Sequence, residues 1–229
     1  MTIPSIPLRS FGRKQGRAPK GIRQDAMEAL LPKLSIPLEI TNIDSLDLLF
    51  KKPYEHYALE IGYGAGEHLH FQASRSPEYG FIGCEPFLNG VGNLLATIAE
   101  KPVENIRIWQ EDARLLLSQL PDACLQKVFI LFPDPWPKTR HHKRRIIKND
   151  LLNELARVMI PNALLRMATD HHDYAAWMLS HIMNHPQFNW DANTPADWQT
   201  PPKDWVLTRY QEKALASEIT TYINATRIE

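Results

Sequence analysis

From residue 57 onward, short apolar runs alternate with longer segments of helical periodicity. The runs predict strands and the intervening segments predict helices. Because each strand is followed by a helix, the pattern is typical of βαβ units and favours an α/β fold with a mostly parallel sheet and helices on both faces. The predicted strands are 57–61, 80–84, 106–109, 127–132 and 164–168; the predicted helices are 67–74, 87–98, 114–120, 149–158 and 174–183.

The segments outside this alternation have other patterns. Residues 1–24 combine Pro, Gly and Ser with basic side chains and predict a flexible tail. Residues 25–34 predict a short helix ending near a proline, residues 186–206 an irregular excursion, and residues 210–216 a last helix. With no internal repeat and no second core, we predict the tail and one domain over residues 25–229.

Length and composition limit the class of protein. The chain has 229 residues, 44% of them hydrophobic, which is enough for a substantial core. The apolar runs, such as residues 128–132, are far too short to cross a bilayer. Two cysteines provide no disulfide framework and no Cys-rich zinc module. We therefore expect a soluble, reduced, cytoplasmic protein with no membrane partner.

A formal net charge of zero hides two basic clusters. Residues 1–24 contain six Lys and Arg and no acid, and residues 136–148 contain another six and no acid. The remaining residues hold 14 basic and 26 acidic side chains. Concentrated positive charge on an acidic body indicates a polyanion bound at one place, and the aromatic and proline neighbours of the second cluster favour nucleic acid.

The first predicted strand leads into a glycine-rich turn. Gly62, Gly64 and Gly66 follow Glu60 in a G-x-G-x-G pattern, and Glu67 stands where a dinucleotide fingerprint has its third glycine. A carboxylate at that helix N-terminus would repel a pyrophosphate. The turn therefore favours a ligand that carries adenosine without phosphates.

Acidic residues follow the next two strands. Glu85 comes nineteen residues after Gly66, where a carboxylate can accept both hydroxyls of a ribose. Asp112 and Ala113 follow the third strand, where they could meet an adenine amino group. The carboxyl ends of parallel strands share one edge of a sheet, so we expect these groups to lie together.

The fourth strand leads into the most informative stretch, residues 133–145. Three prolines fix their own φ angles and restrict the residues before them, so the loop is predicted to be rigid and to project Asp134 toward the ligand crevice. Trp136 offers a stacking face, and the basic residues behind it can bind phosphates.

A polar cluster follows the fifth strand. It contains Thr169, Asp170, His171, His172 and Asp173. Adjacent histidines point in different directions and no third spaced ligand is present, so we predict no metal site.

Four of these stretches together resemble the bacterial tRNA (guanine-N7)-methyltransferases. They are the glycine-rich turn after Glu60, the stretch 133–145, Thr169-Asp170-His171, and the run 208–213, which reads T-R-Y-Q-E-K. The resemblance extends from the basic tail to the last predicted helix, and the F-P-D-P-W-P-K-x-R-H-x-K-R-R stretch is its most specific part.

The resemblance implies a Rossmann-like methyltransferase with a seven-stranded sheet whose last strand is antiparallel. It implies S-adenosylmethionine as the cofactor and tRNA as the partner, with methylation of N7 of the variable-loop guanosine. Asp134 is the residue it assigns to catalysis. It places the cofactor against Glu60, Gly62, Gly64, Gly66, Glu85, Asp112, Ala113 and Asp134, and the substrate against Lys138, Asp170, Thr208, Arg209, Tyr210 and Gln211. Gln211 departs from the family pattern, which usually has Glu there.

Two other functions remain open at this point. One is a non-catalytic RNA-binding module that retains the fold, and equilibrium binding of S-adenosylmethionine would distinguish it. The other is an NAD-dependent oxidoreductase, which Glu67 and the basic loop disfavour.

Overall fold

A computed structural model describes residues 16–214 and 219–229. Seven strands form one sheet in the order β3-β2-β1-β4-β5-β7-β6. The first five strands are parallel, and β7 runs antiparallel to both β5 and β6. The strands are β1 (His56–Ile61), β2 (Tyr79–Cys84), β3 (Ile106–Trp109), β4 (Leu125–Leu131), β5 (Met159–Thr169), β6 (Phe188–Trp190) and β7 (Thr221–Arg227).

Helices flank this sheet, and two apolar clusters form the core. The α-helices are α1 (Ile22–Leu34), α2 (Glu67–Arg75), α3 (Leu88–Glu100), α4 (Ala113–Leu117), α5 (Asn149–Val158), α6 (His172–Met183), α7 (Ala196–Gln199) and α8 (Arg209–Ala214). Two 3-10 helices span Leu46–Leu49 and Thr139–Arg144. None of the helices in these described parts of the chain is long and apolar enough to span a bilayer.

The α/β fold with a mostly parallel seven-stranded sheet is confirmed. All five strands predicted from the apolar runs are present. Four differ from the prediction by at most two residues at either end, whereas β5 begins at Met159, five residues before its predicted start. The fourth ends at Leu131 rather than at residue 132 because Phe132 has a φ of 51°, in the left-handed region that strands do not contain. Pro32 lies inside α1, which continues to Leu34.

The C-terminal part contains more regular structure than its pattern indicates. The segment 186–206 includes the three-residue strand β6 and the one-turn helix α7, and β7 follows the last helix. The separation of a tail over residues 1–24 stays a prediction, since residues 1–15 lie outside the described residues, but residues 22–24 belong to α1 and not to an irregular tail. Within the described part, Gly16 lies against the side chains of Phe87 and Asn89.

Candidate active site

A cavity of about 500 Å³ opens at the carboxyl ends of β1 to β4. Its volume lies within the range of small-molecule sites, and its position is where ligands bind in open parallel sheets. One part of its lining is acidic and comes from the strand ends; another is basic and comes from the segment after Pro137. The acids that follow the strands are Glu85, Glu111, Asp112 and Asp134, Asp150 adds a carboxylate from α5, and the bases include Lys143, Arg144, Arg145 and Lys148.

The glycine-rich turn forms one side of this cavity. Gly62, Gly64 and Gly66 have φ angles of 73°, 60° and 87°, which disfavour residues with a Cβ. A Cβ at Gly62 or Gly64 would meet no atom within 4 Å, so this backbone faces open space. A Cβ on Gly90 of α3 would lie 2.3 Å from the Gly64 carbonyl oxygen, so the helix approaches the turn closely. The turn can therefore contact a ligand with its backbone.

Glu85 fixes this turn. Its two carboxylate oxygens accept hydrogen bonds from the amides of Gly64 and Phe87, both at 2.9 Å. Burial raises the pKa of Glu85, and the nearby charge of Asp134 raises it further. Each carboxylate oxygen has a second lone pair, so Glu85 can still accept ribose hydroxyls while it holds the turn.

The other predicted cofactor residues take different positions. Asp112 caps α4 by accepting from the Arg114 amide at 3.0 Å, pairs with the Arg114 guanidinium at 2.6 Å, and lines the cavity beside Ala113. Gly66 precedes α2 and packs under Leu94. Glu60 is 2% exposed, and its carboxylate lies 2.7 Å from Nδ1 of His68. Glu60 lies in β1 just before the turn and Gly66 lies at its end, and neither residue lines the cavity.

The proline-rich loop carries Asp134 between two residues of left-handed conformation. Phe132 has a φ of 51° and Trp136 a φ of 44°, which is unusual for bulky side chains and costs about 1–3 kcal/mol each. The Asp134 side chain is solvent-exposed toward the cavity, and desolvation by the surrounding protein raises its pKa. Such strain persists only where the surroundings hold the backbone in place.

Two consecutive arginines provide that support. The Arg144 guanidinium lies 4.8 Å from the centre of the Trp136 ring. Nε of Arg145 donates to the Pro135 carbonyl at 2.9 Å, and its Nη2 donates to Asp173. Arg145 is 1% exposed, with its guanidinium about 5 Å from the rings of Tyr174 and Trp177.

The basic cluster is therefore not uniform. We interpreted its charges as phosphate-binding from the sequence, but Arg145 is buried and supports the loop, whereas Lys138, Arg140 and Lys143 are exposed. The sequence contained one sign of this role, since Arg145 directly precedes the apolar pair Ile146-Ile147. The sequence carries no signal for its pairing with Asp173, which lies 28 residues further along the chain.

The predicted substrate residues after β5 and in α8 face one another. The Tyr210 hydroxyl donates to Asp170 at 3.4 Å, and the Tyr210 ring lies 5.1 Å from that of Phe132. Arg209 is exposed and lines a second, shallower pocket beside Glu67 and Glu100. Asp170 and Tyr210 thus lie next to the Asp134 loop, while Arg209 lies further away.

Thr208 and Gln211 form the N-terminal cap of α8. The backbone N–H of Gln211 donates to the Thr208 hydroxyl, and the side-chain oxygen of Gln211 accepts from the backbone N–H of Thr208, both at 3.4 Å. The same oxygen accepts from the indole nitrogen of Trp205 at 3.0 Å. This reciprocal pattern is a capping box, and the sequence T-x-x-Q alone could have indicated it.

His171 caps α6, accepting from the Tyr174 amide at 3.4 Å. Among residues 16–214 and 219–229, no group of three or more His, Cys, Asp or Glu side chains is arranged to hold a metal ion.

Comparisons with known proteins match this chain to methyltransferases. A protein-family profile described as "Putative methyltransferase" matches residues 54–223. A tRNA (guanine-N(7)-)-methyltransferase of Rhodospirillum rubrum is 46% identical over 93% of this chain and 84% of its own length. Another, from Caulobacter vibrioides, is 44% identical over 98% and 97%.

The structural comparison concerns the fold alone. An rRNA methylase from Streptococcus thermophilus superposes with a TM-score of 0.52 at 8% identity, covering 76% of this chain and 88% of that chain. At 46% identity over nearly the whole sequence, this chain belongs to the tRNA (guanine-N(7)-)-methyltransferase family.

Proposed function

We propose that this protein transfers the methyl group of S-adenosylmethionine to N7 of the variable-loop guanosine of tRNA. The observation that carries the proposal is the two-sided cavity, with carboxylates at the strand ends and cations with aromatic rings beside them. The first side suits a cationic cofactor and the second suits a polyanion. Asp134 lies where the two sides meet.

The residues of the acidic side fit this cofactor. The open backbone of Gly62 and Gly64 can approach its amino-acid part, Glu85 can accept the ribose hydroxyls, and Asp112 with Ala113 can meet the adenine. Burial raises the pKa values of Glu85 and Asp134. The positively charged sulfur of a bound cofactor would stabilise both groups as anions. When bound, S-adenosylmethionine supplies an electrophilic methyl group on a positively charged sulfur.

The protein's own task is positioning. Guanine N7 has a free lone pair and no proton, so no general base is needed at that atom. The site must hold N7 in line with the methyl group. Asp134 can hold the guanine edge and favour the positive charge that develops on the purine. Asp170 and Tyr210 can contact the guanine on the side opposite Asp134. Lys138 can contact a phosphate or the O6 atom of the guanine.

Nucleoside analysis tests the proposal directly. Unmodified tRNA incubated with the protein and S-adenosylmethionine should contain N7-methylguanosine when digested and analysed by mass spectrometry. Methyl transfer only to guanine N1 or N2 would contradict the mechanism. Cofactor binding without any transfer to tRNA would instead indicate a non-catalytic binding module.

Exposed cations of the 3-10 helix should determine the salt dependence of tRNA binding. Each lost phosphate contact lowers the slope of log K against log salt by about 0.7–0.9. We expect the double variant Arg140→Gln/Lys143→Gln to bind tRNA more weakly, with a slope reduced by the equivalent of one to two phosphate contacts. Filter binding across a range of salt concentrations measures this slope.

Lys51→Gln is the matched control for this measurement. Lys51 is exposed but precedes β1, at the opposite edge of the sheet from the cavity. The Lys51→Gln variant should show the same slope of log K against log salt as the unchanged protein. Equal slopes for all three proteins would exclude these two cations from the tRNA interface.

Gln211 and Asp170 should respond differently to substitution. A Glu at position 211 can accept from both Thr208 and Trp205, and a carboxylate in the first turn of α8 is favoured by the helix dipole. We expect Gln211→Glu to keep or improve kcat/KM for tRNA. Asp170→Asn should lose about 1–3 kcal/mol of transition-state binding.

Steady-state kinetics of both variants on one tRNA transcript measures this difference. A severe loss in Gln211→Glu together with an unchanged Asp170→Asn would show that the guanine contacts are assigned to the wrong residues.

A further inference from the structure

A buried line of polar side chains runs behind the glycine-rich turn. It begins at Glu60, the residue before the last position of β1, whose carboxylate lies 2.7 Å from Nδ1 of His68 in α2. One helical turn further along α2, the amide nitrogen of Gln72 lies 3.2 Å from Nε2 of His68. None of these three side chains is more than 5% exposed.

The line continues into the segment before α8. The same Gln72 nitrogen donates to the Asp204 carbonyl oxygen at 3.0 Å. The next residue, Trp205, lies with its ring 6.0 Å from that of His68 and donates its indole N–H to Gln211 at 3.0 Å. These contacts connect the base of the cofactor turn to the cap of α8, the helix that carries Tyr210.

The hydrogen bonds in this line have only one consistent direction. The Asp204 carbonyl can only accept, so the Gln72 nitrogen, and not its oxygen, must face it. Both N–H groups of Gln72 are then used, and Nε2 of His68 accepts one of them. Nδ1 of His68 therefore carries the ring hydrogen and donates a hydrogen bond to the Glu60 carboxylate. Of the two ring nitrogens of His68, Nδ1 donates toward Glu60 and Nε2 accepts from Gln72.

We propose that His68 is a positioning residue that couples cofactor binding to tRNA binding. The inference rests on the proposed function. Glu60 lies two residues before Gly62 of the turn, and residues 204 and 205 contact Gln72 and His68, so a shift of the His68 ring would disturb both the turn and the segment 204–211. A ligand that stabilises this position of the ring from one side lowers the ordering cost for a ligand on the other side. The two affinities should thus rise together and by the same factor.

Two substitutions at position 68 separate the two ends. His68→Asn keeps an N–H near the position of Nδ1 for Glu60 and loses the acceptor for Gln72. His68→Gln reaches the position of Nε2 and loses the donor to Glu60. Trp205→Phe removes only the indole N–H to Gln211 and keeps an aromatic ring. His70→Asn on the same helix is the control, because the ring of His70 hydrogen-bonds to the Lys101 carbonyl oxygen and is not part of this line.

The measurement is the dissociation constant of S-adenosylmethionine by calorimetry, without tRNA and with saturating tRNA. We expect tRNA to tighten cofactor binding of the unchanged protein and of His70→Asn by about tenfold, a usual size for coupling between sites. In His68→Asn and in Trp205→Phe the factor should fall below about twofold, while affinity without tRNA stays within about threefold. In His68→Gln the affinity without tRNA should fall as well.

Two results would overturn the inference. One is an unchanged protein whose cofactor affinity does not respond to tRNA. The other is a coupling factor retained in His68→Asn or in Trp205→Phe; an equal loss of affinity with and without tRNA is one form of this second result and marks a structural role. If His68→Asn does not fold, judged by its thermal transition, Trp205→Phe alone decides. These results differ from a failure of the proposed function, in which the unchanged protein forms no N7-methylguanosine.

Discussion

Asp134→Ala is expected to lower kcat for tRNA methylation by about a hundredfold or more. Losses of this size follow when a preorganised group that stabilises transition-state charge is removed. The strained residues on either side of Asp134, together with the arginines that hold the loop, keep its carboxylate in one place before substrate binds. The free energy needed to orient the Asp134 carboxylate is therefore already included in folding and is not lost from substrate binding. Single-turnover rates at saturating cofactor and tRNA measure the effect.

Asp150→Ala is the matched control, because Asp150 also lines the cavity and is exposed but begins α5, away from the loop. It should remain within about threefold of the unchanged protein. An Asp134→Ala variant within that same range would remove Asp134 from catalysis. Asp134→Asn separates the contribution of charge from that of hydrogen bonding, and we expect it to fall between the two.

Asp173→Ala is expected to destabilise the fold by about 2–3 kcal/mol, more than Arg145→Met does. Removing one partner of a buried ion pair leaves the other as an uncompensated charge, which costs about 3–5 kcal/mol. Arg145 is fully buried, whereas the Asp173 side chain is 59% exposed, so solvent already screens part of the pair and lowers the figure. In Arg145→Met, by contrast, an apolar side chain fills the space and Asp173 stays hydrated.

Urea unfolding of both variants at neutral pH measures this order of stabilities. Arg145 holds the pKa of Asp173 below its usual range, chiefly through the hydrogen bond between them. The contribution of the pair is therefore complete at neutral pH and is lost as the pH falls through that lowered value. A larger loss of stability in Arg145→Met than in Asp173→Ala would show that the arginine contributes mainly by packing.

The sheet was largely predictable because its strands are short apolar runs, and each carries its own signal. Strands β6 and β7 carry little signal of that kind: β6 has three residues, and the seven residues of β7 include two Thr, one Asn and one Arg. They exist because β7 pairs with β5 over six residues and with β6 over three. Such long-range pairing leaves little mark on local periodicity.

The site was predictable to a similar extent. Strand ends and glycines identified the cavity, since topology brings them to one edge of the sheet. The burial of Arg145 and the line from Glu60 to Gln211 depend on side chains that are distant in sequence, such as Asp173 and Trp205. A charged residue in a basic run looks the same whether it faces water or two aromatic rings.

The place of β7 inside the sheet has a consequence for synthesis of the chain. In the described sheet, β6 is an edge strand whose only neighbour is β7, and β7 comes after every other described strand in sequence. On the ribosome, β1 to β5 can pair as they emerge, but Phe188–Trp190 has no strand to join until residues 221–227 have left the exit tunnel. Trp205 likewise waits for Tyr222, whose ring lies 4.8 Å away. The pairing of β6 and the packing of Trp205 against Tyr222, next to the cap of α8, are therefore completed only after synthesis of residues 221–227.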